Sequence, residues 1–323
     1  MQYPHVIEQH AEMLPFLWSR RALADDETTA IADLNRFDLR LQGNQDGLRL
    51  AGQLAWPILE HTWSQPSAGV VFGRATLALA AGDVEQFAQL TVLPEARSPL
   101  VSALGFARPG AAASALGLLA ARDDLPSRQI AARGHRALRL GMGLASLISD
   151  PDPSVHGPAI EAAGLARSLD DAALSALDQA ARTGGFGPHW ALWLISRDSS
   201  HLEAMLEMPD VDPARAALAA RLAPPSLLVE WISAHQRRSD LPGGELRAWV
   251  AANAGRFVRQ ERYLAGTPIT PRTIRAQLGN GKQGVRLQAA FEAAAWVDSR
   301  EPILNTHGPA FRQLASLRAL GAN

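Results

Sequence analysis

Residues 149–166 read SDPDPSVHGPAIEAAGLA, and two readings compete for them. Asp150, Asp152, Ser154 and His156 carry the oxygen and nitrogen donors of a metal site, yet the same letters describe the end of one helix and the start of another. A calcium loop needs oxygen ligands at alternate positions, a glycine at the sixth place and a glutamate at the twelfth. Counted from Asp150, the third, fifth and twelfth places are Asp152, Ser154 and Glu161, but the sixth is Val155, and Pro151 and Pro153 stiffen the turn. His156 has no second histidine four residues on. The junction reading uses every residue. Pro153 in a first helical turn forfeits no hydrogen bond, and Asp152 before it can accept from the free amides there. Val155, Ala159 and Ala162 then share one helical face.

The pattern extends outward. Of 323 residues, 47% are hydrophobic, with alanine and leucine dominant and β-branched and aromatic residues sparse, which favours helix over sheet. Apolar residues recur at three and four positions and are interrupted by Pro, Gly or Asp, as in a series of short amphipathic helices. The spacing predicts helices over 5–23, 27–42 and 45–63; DDETT (25–29) would cap the second, and Pro57 would kink or stop the third. From about residue 67, SAGVVFGRATLALAAGD, SPLVSALGFA, GAAASALGLLAARDD and RQIAARGHRALRLG repeat the theme of small residues at close helix contacts. The turns RDDLPS, LISDPDP and MPDVDPA alternate with them. A period of roughly 30–40 residues is the signature of stacked helical hairpins, an α-solenoid. Asp152-Pro153-x-Val155 followed by Ala159, Ala162 and Gly164 resembles the inter-helix turn and second helix of a HEAT repeat.

The expected fold is therefore all-α, with an N-terminal helical cap over 1–66 and HEAT-like repeats over 67–323. The segment TGGFGPHW (183–190) reads as a joint at 184–187, with Pro188 starting the next helix. GNGKQG (279–284) lacks the spacing and the Ser or Thr of a phosphate loop and reads as a glycine turn.

Charge and motifs bound the function. The net charge is -1, but residues 1–100 carry 7 cationic and 12 anionic side chains and residues 201–323 carry 15 and 11, so the ends differ by sign, about -5 against +4. Arg256, Arg259 and Arg262 form a basic stripe, too little in a near-neutral chain to argue for nucleic acid. The chain has no cysteine, hence no disulfide, thiolate ligand or thiol nucleophile. It has no HExxH or GxSxG motif, and His5 and His10 are spaced poorly for one metal. No cofactor, metal or catalytic residue is expected. The opening MQYPHVIEQHAEML is too polar for a signal peptide, and no run of about 18 apolar residues occurs, so a cytoplasmic protein without membrane contact is expected. Trp56 and Trp63, seven apart, and Trp190 and Trp193, three apart, would each share a helix face and fill space between helices.

LNRFDLRLQGNQDGLRLAGQLAW (34–56), SPLVSALGFA (98–107) and RYLAGTPITPRTIRAQLGNGKQGVRLQAAFEAA (262–294) together resemble a bacterial family of HEAT-like repeat proteins encoded in type VI secretion gene clusters. The last segment is the most specific, and it makes 262–323 a family-specific helical end. The resemblance implies a protein partner, a type VI effector toxin. It fits a cytoplasmic immunity protein that blocks such a toxin, for example a nuclease, or an adaptor that loads an effector onto the spike. For immunity, the acidic first hundred residues are the expected contact, with Asp25, Asp26, Glu27, Asp33 and Asp38 opposing a basic active-site groove.

Overall fold

A computed structural model describes residues 4–24, 29–93, 95–208, 263–264, 267–268, 270–279, 283–297, 302–306 and 308–319. Among them the chain is all-α apart from one ladder in which Tyr263–Leu264 (β1) pairs antiparallel with Thr267–Pro268 (β2). The chain divides into two compact units, residues 1–138 with 307–323, and residues 139–306. The sequence-based boundary at residue 66 falls inside the first unit, and the last seventeen residues fold with the first unit rather than with 262–306.

The first unit holds α1 (Pro4–Ala24), α2 (Ile31–Ala51), α3 (Ala55–Thr62), α4 (Ala68–Ala81), α5 (Val84–Gln89), α6 (Arg97–Phe106), α7 (Pro109–Ala120), α8 (Leu125–Leu138) and α16 (Ala310–Ala319). The α1 helix packs on α2 and α4, and α4, α6 and α8 then pack each on the next, while α5 and α7 pair beside them. Side chains set this order. Trp18 stacks on Phe72 at 5.6 Å, Phe72 meets Phe106 edge-on at 5.6 Å, and Phe106 meets Phe311 at 5.8 Å. These rings tie α1, α4, α6 and α16 into one core, with offset and edge contacts that aromatic quadrupoles favour.

One expectation fails in α2. The predicted break near residues 43–44 is absent, because the helix runs through Gly43, Asn44 and Gly47. Its two interior glycines cost roughly 1 kcal/mol each against alanine, but Gly47 lets the ring of His10 lie against the backbone, where a Cβ would sit 2.5 Å from it. His10 Nδ1 also donates to Asn44 Oδ1 at 2.9 Å. Packing on α1 thus overrides local propensity. Of the expected DDETT cap, residues 25–28 lie outside the described residues, and α2 itself starts behind Ala30, whose side chain makes no cap bond. Pro57 neither kinks nor ends a helix; it lies in the first turn of α3, where its missing N–H forfeits nothing. Trp63, just past the end of α3, is buried and donates through Nε1 to Ala11 O at 2.8 Å, whereas Trp56 remains 39% exposed. The turn out of helical geometry at Trp63 separates the expected pair.

The second unit holds α9 (Ala145–Ile148), α10 (Pro153–Ala166), α11 (Asp171–Arg182), α12 (Phe186–Ser196), α13 (Ser199–Glu207), α14 (Pro271–Leu278) and α15 (Gln283–Val297). Here α9 packs on α11, α10 on α12, and α12 on α13. The 149–166 stretch is the helix junction expected. Asp152 caps α10 by accepting from Ser154 N at 2.8 Å, Pro153 occupies the first turn, and Val155, Ala159 and Ala162 are fully buried. Gly164 lies where α10 and α12 approach: a Cβ there would stand 2.8 Å from Ala191 Cα. Gly164→Val is accordingly expected to lower the unfolding free energy by about 1–3 kcal/mol in urea titrations, since the obstacle is backbone and cannot swing away.

Among the described residues three helices end on an arginine in the left-handed region: Arg139 (φ 57°), Arg167 (φ 60°) and Arg197 (φ 61°). The spacings are 28 (167 less 139) and 30 (197 less 167). A non-glycine residue there costs about 1 kcal/mol. At two of the three the side chain returns a bond to a distant carbonyl, Arg139 Nε to Ile303 O at 3.1 Å and Arg167 Nε to Leu194 O at 3.2 Å.

Candidate binding groove on the second unit

In the second unit the junction described above forms one wall of a groove of about 690 Å³. The α10 side supplies His156, Gly157, Ile160 and Glu161; α11 supplies Ala176, Gln179 and Ala180; the turn 184–188 closes one end, with Trp190 among the lining residues. That turn needs glycine: Gly184 has φ 91° and Gly185 φ 112°, values that a Cβ disfavours. The expected joint at 184–187 straddles the short connection between α11 and α12, inside the second unit, and α12 starts at Phe186, two residues before Pro188.

A second, more open recess of about 860 Å³ includes Asp171, Leu174, Ser175, Asp178 and Arg182. The two share Ser149, Ala176 and Gln179, so they form one continuous surface around α11. Asp171 and Asp178 stand seven residues apart, two helical turns, on the same face as the 38% exposed Leu174. Among the described residues that line the two recesses, four carboxylates, Asp150, Glu161, Asp171 and Asp178, stand against the guanidinium of Arg182. The surface is acidic and partly apolar.

Local bonding fixes its edges. Asp170 caps α11 through Ala173 N at 2.7 Å and takes the Gly143 N–H at 2.8 Å. The Gly143 and Ala173 amides hold its carboxyl below the usual aspartate range. Because the unfolded chain takes up that proton first, the contribution is present above about pH 4 and is lost as pH falls through the lowered value. Asp150 is 8% exposed and accepts the Asp152 N–H at 2.9 Å. His156 Nδ1 meets the backbone carbonyl of Asp150 at 3.1 Å, so the ring and carboxylate hold the turn instead of converging on an ion. Asp150 is more deeply placed than a solvated surface residue. Among the described residues no group of three or more His, Asp or Glu side chains is arranged to hold a metal.

The acidic residues expected at the amino-terminal end are not gathered into one site. Asp25, Asp26 and Glu27 lie outside the described residues. Asp33 is exposed and sits 3.2 Å from Arg36, one turn on. Asp38 is fully buried: its Oδ1 takes Arg21 Nε at 2.8 Å and its Oδ2 takes the N–H of Ala310, which opens α16. It is a structural carboxylate of the core, unavailable to a partner. The cause is helical phase, since five residues separate it from Asp33 by about 140°. Trp190 and Trp193 are both buried, as space-filling residues. The stripe Arg256, Arg259 and Arg262 lies outside the described residues.

Sequence reading missed the acidic surface on α10 and α11. Its carboxylates fall within residues 150–178, where Asp150, Asp152, Glu161, Asp170, Asp171 and Asp178 stand against Arg167 alone, a local excess hidden by a charge count taken over residues 101–200 as a whole. It also missed His189 and His201, which stand twelve residues apart in sequence yet face each other across the α12–α13 hairpin. Among the described residues no helix is long and apolar enough to cross a membrane. Comparison with protein-family models, curated proteins and solved structures finds no match to this chain.

Proposed function

We propose that this chain is a protein-binding scaffold, an α-solenoid of HEAT-like hairpins whose acidic surface around α11 receives a basic segment of a partner protein. The observation that carries the reading is the pair of adjoining recesses with four carboxylates and one guanidinium among their charged lining residues. Charge of one sign over a partly apolar recess raises association rate and rejects like-charged partners. The helix pairing within each unit and the near-30-residue recurrence of left-handed arginines support repeats as the underlying plan. Such a scaffold acts by covering its partner and supplies no catalytic group.

The resemblance to type VI gene-cluster proteins names the partner class, an effector toxin with a basic groove such as a nuclease. The protein is then a cytoplasmic immunity protein. The acidic residues that meet the toxin are Glu161, Asp171 and Asp178 on the second unit.

The test is co-expression with the toxin encoded beside its gene. Protection of a sensitive cell together with a 1:1 complex supports immunity, a complex without protection transfers the protein to effector loading, and no complex removes both roles. The double variant Glu161→Arg/Asp178→Arg is expected to slow association at least tenfold at low salt and to flatten its salt dependence, read by stopped-flow or surface-capture kinetics. An unchanged rate would move the contact off α10 and α11.

A further inference from the structure

His189 on α12 and His201 on α13 bring their Nδ1 atoms to 3.2 Å, with ring planes tilted by 53° and neither ring stacked on the other. Both rings are half-buried. The hairpin that places them is firmly built: Arg197 ends α12 in the left-handed region, Asp198 caps α13 through Ser200 N at 3.0 Å, and Trp193, Leu202 and Met205 are buried around the turn.

We propose that His189 and His201 form a two-imidazole site for a divalent transition-metal ion of the zinc, nickel and copper group. Two imidazole nitrogens about 2.0–2.1 Å from one tetrahedral ion stand about 3.3 Å apart, against the 3.2 Å seen here. Without an ion, one Nδ1–H donates to the other Nδ1. When an ion enters between them, the donor ring moves that proton to its own Nε2 and both lone pairs face the metal, so no net proton is released. Imidazole ligands suit these borderline ions over magnesium or calcium, which take oxygen. Burial first, and the neighbouring His201 second, hold His189 below the ordinary histidine value, which keeps it in the neutral form that ligates. The remaining coordination positions belong to water or to a side chain of a bound partner.

The full chain, stripped with chelator and transferred to metal-free buffer at pH 7.5, is titrated with zinc chloride by calorimetry. One equivalent is expected to bind, and His201→Ala and His189→Gln are each expected to weaken that binding at least tenfold. Copper(II) bound to the wild-type chain is expected to show two-nitrogen hyperfine structure in electron paramagnetic resonance, reduced to one nitrogen in either variant. Circular dichroism checks that each variant is folded; should His189→Gln unfold, the more peripheral His201→Ala decides alone. Failure of the wild-type chain to take up one equivalent of zinc overturns the proposal. Variants that bind zinc as tightly as wild type also overturn it, since the ion would then sit on other histidines.

Discussion

Replacing Asp38 by alanine is expected to lower the unfolding free energy of the first unit by about 3–5 kcal/mol, the range for removing one partner of a buried ion pair. The side chains of Arg21 and Asp38 are 7% and 0% exposed. Truncation removes the carboxylate that takes Arg21 Nε and, through its other oxygen, strands the Ala310 amide at the start of α16. Arg21 keeps its bond to Gly308 O at 3.1 Å, so its charge stays in place after the buried carboxylate beside it is lost. The midpoint of a urea titration reads the loss, and α16 should become the first segment to lose amide-exchange protection. Replacing both partners, Arg21→Met with Asp38→Leu, should recover much of the stability, because the desolvation penalty of the pair disappears with the pair. A loss below about 1 kcal/mol in Asp38→Ala would mean that the pair is solvated, as surface pairs are.

The second large effect lies in the helix junction at 149–166. Val155 is fully buried one turn into α10, and Val155→Asp places a carboxylate there with no partner. The expected loss is about 4 kcal/mol or more at pH 7.5, at the upper end of single substitutions. Burial raises the folded-state value of the new carboxyl above its unfolded value near 3.9. The unfolded chain therefore releases its proton first as pH rises, and the penalty grows from about pH 4 upward. Matched urea titrations at pH 5 and pH 7.5 check that sign; an equal penalty at both would show that the carboxylate reaches water. Ala159→Asp should behave alike, being equally buried on the same face.

The residues that could be read correctly in advance are those whose role is set by near neighbours. Asp152, Pro153 and Val155 act within one helical turn of each other, so the junction at 149–166 was legible from capping and periodicity alone. Gly164 was legible as a close contact, though not its partner Ala191. The errors share one physical source, which is packing between segments far apart in sequence. Gly43 and Asn44 look like a helix end, but contact with α1 keeps α2 intact; Trp63 leaves its expected stripe to bond with Ala11. Asp38 reads as a surface acid beside Asp33, and only the arrival of Arg21 and Ala310, seventeen and 272 residues away, makes it a core residue. The acidic surface around α11 was missed for a different reason. Its members lie within residues 150–178, where six carboxylates face Arg167 alone, and the excess disappears only in a count over the whole of residues 101–200.

The left-handed arginines also bear on how such a chain can change its length. Each occupies a backbone state that β-branched residues scarcely tolerate, and each follows the last by 28 or 30 residues. An in-frame duplication of one such span would carry its own arginine to the new helix end and leave the following segments in phase. An insertion of some other length would deliver an arbitrary side chain to that state. Growth by whole spans is therefore the inexpensive route, and relatives with longer or shorter chains should differ by steps of about 30 residues with one arginine gained or lost at each.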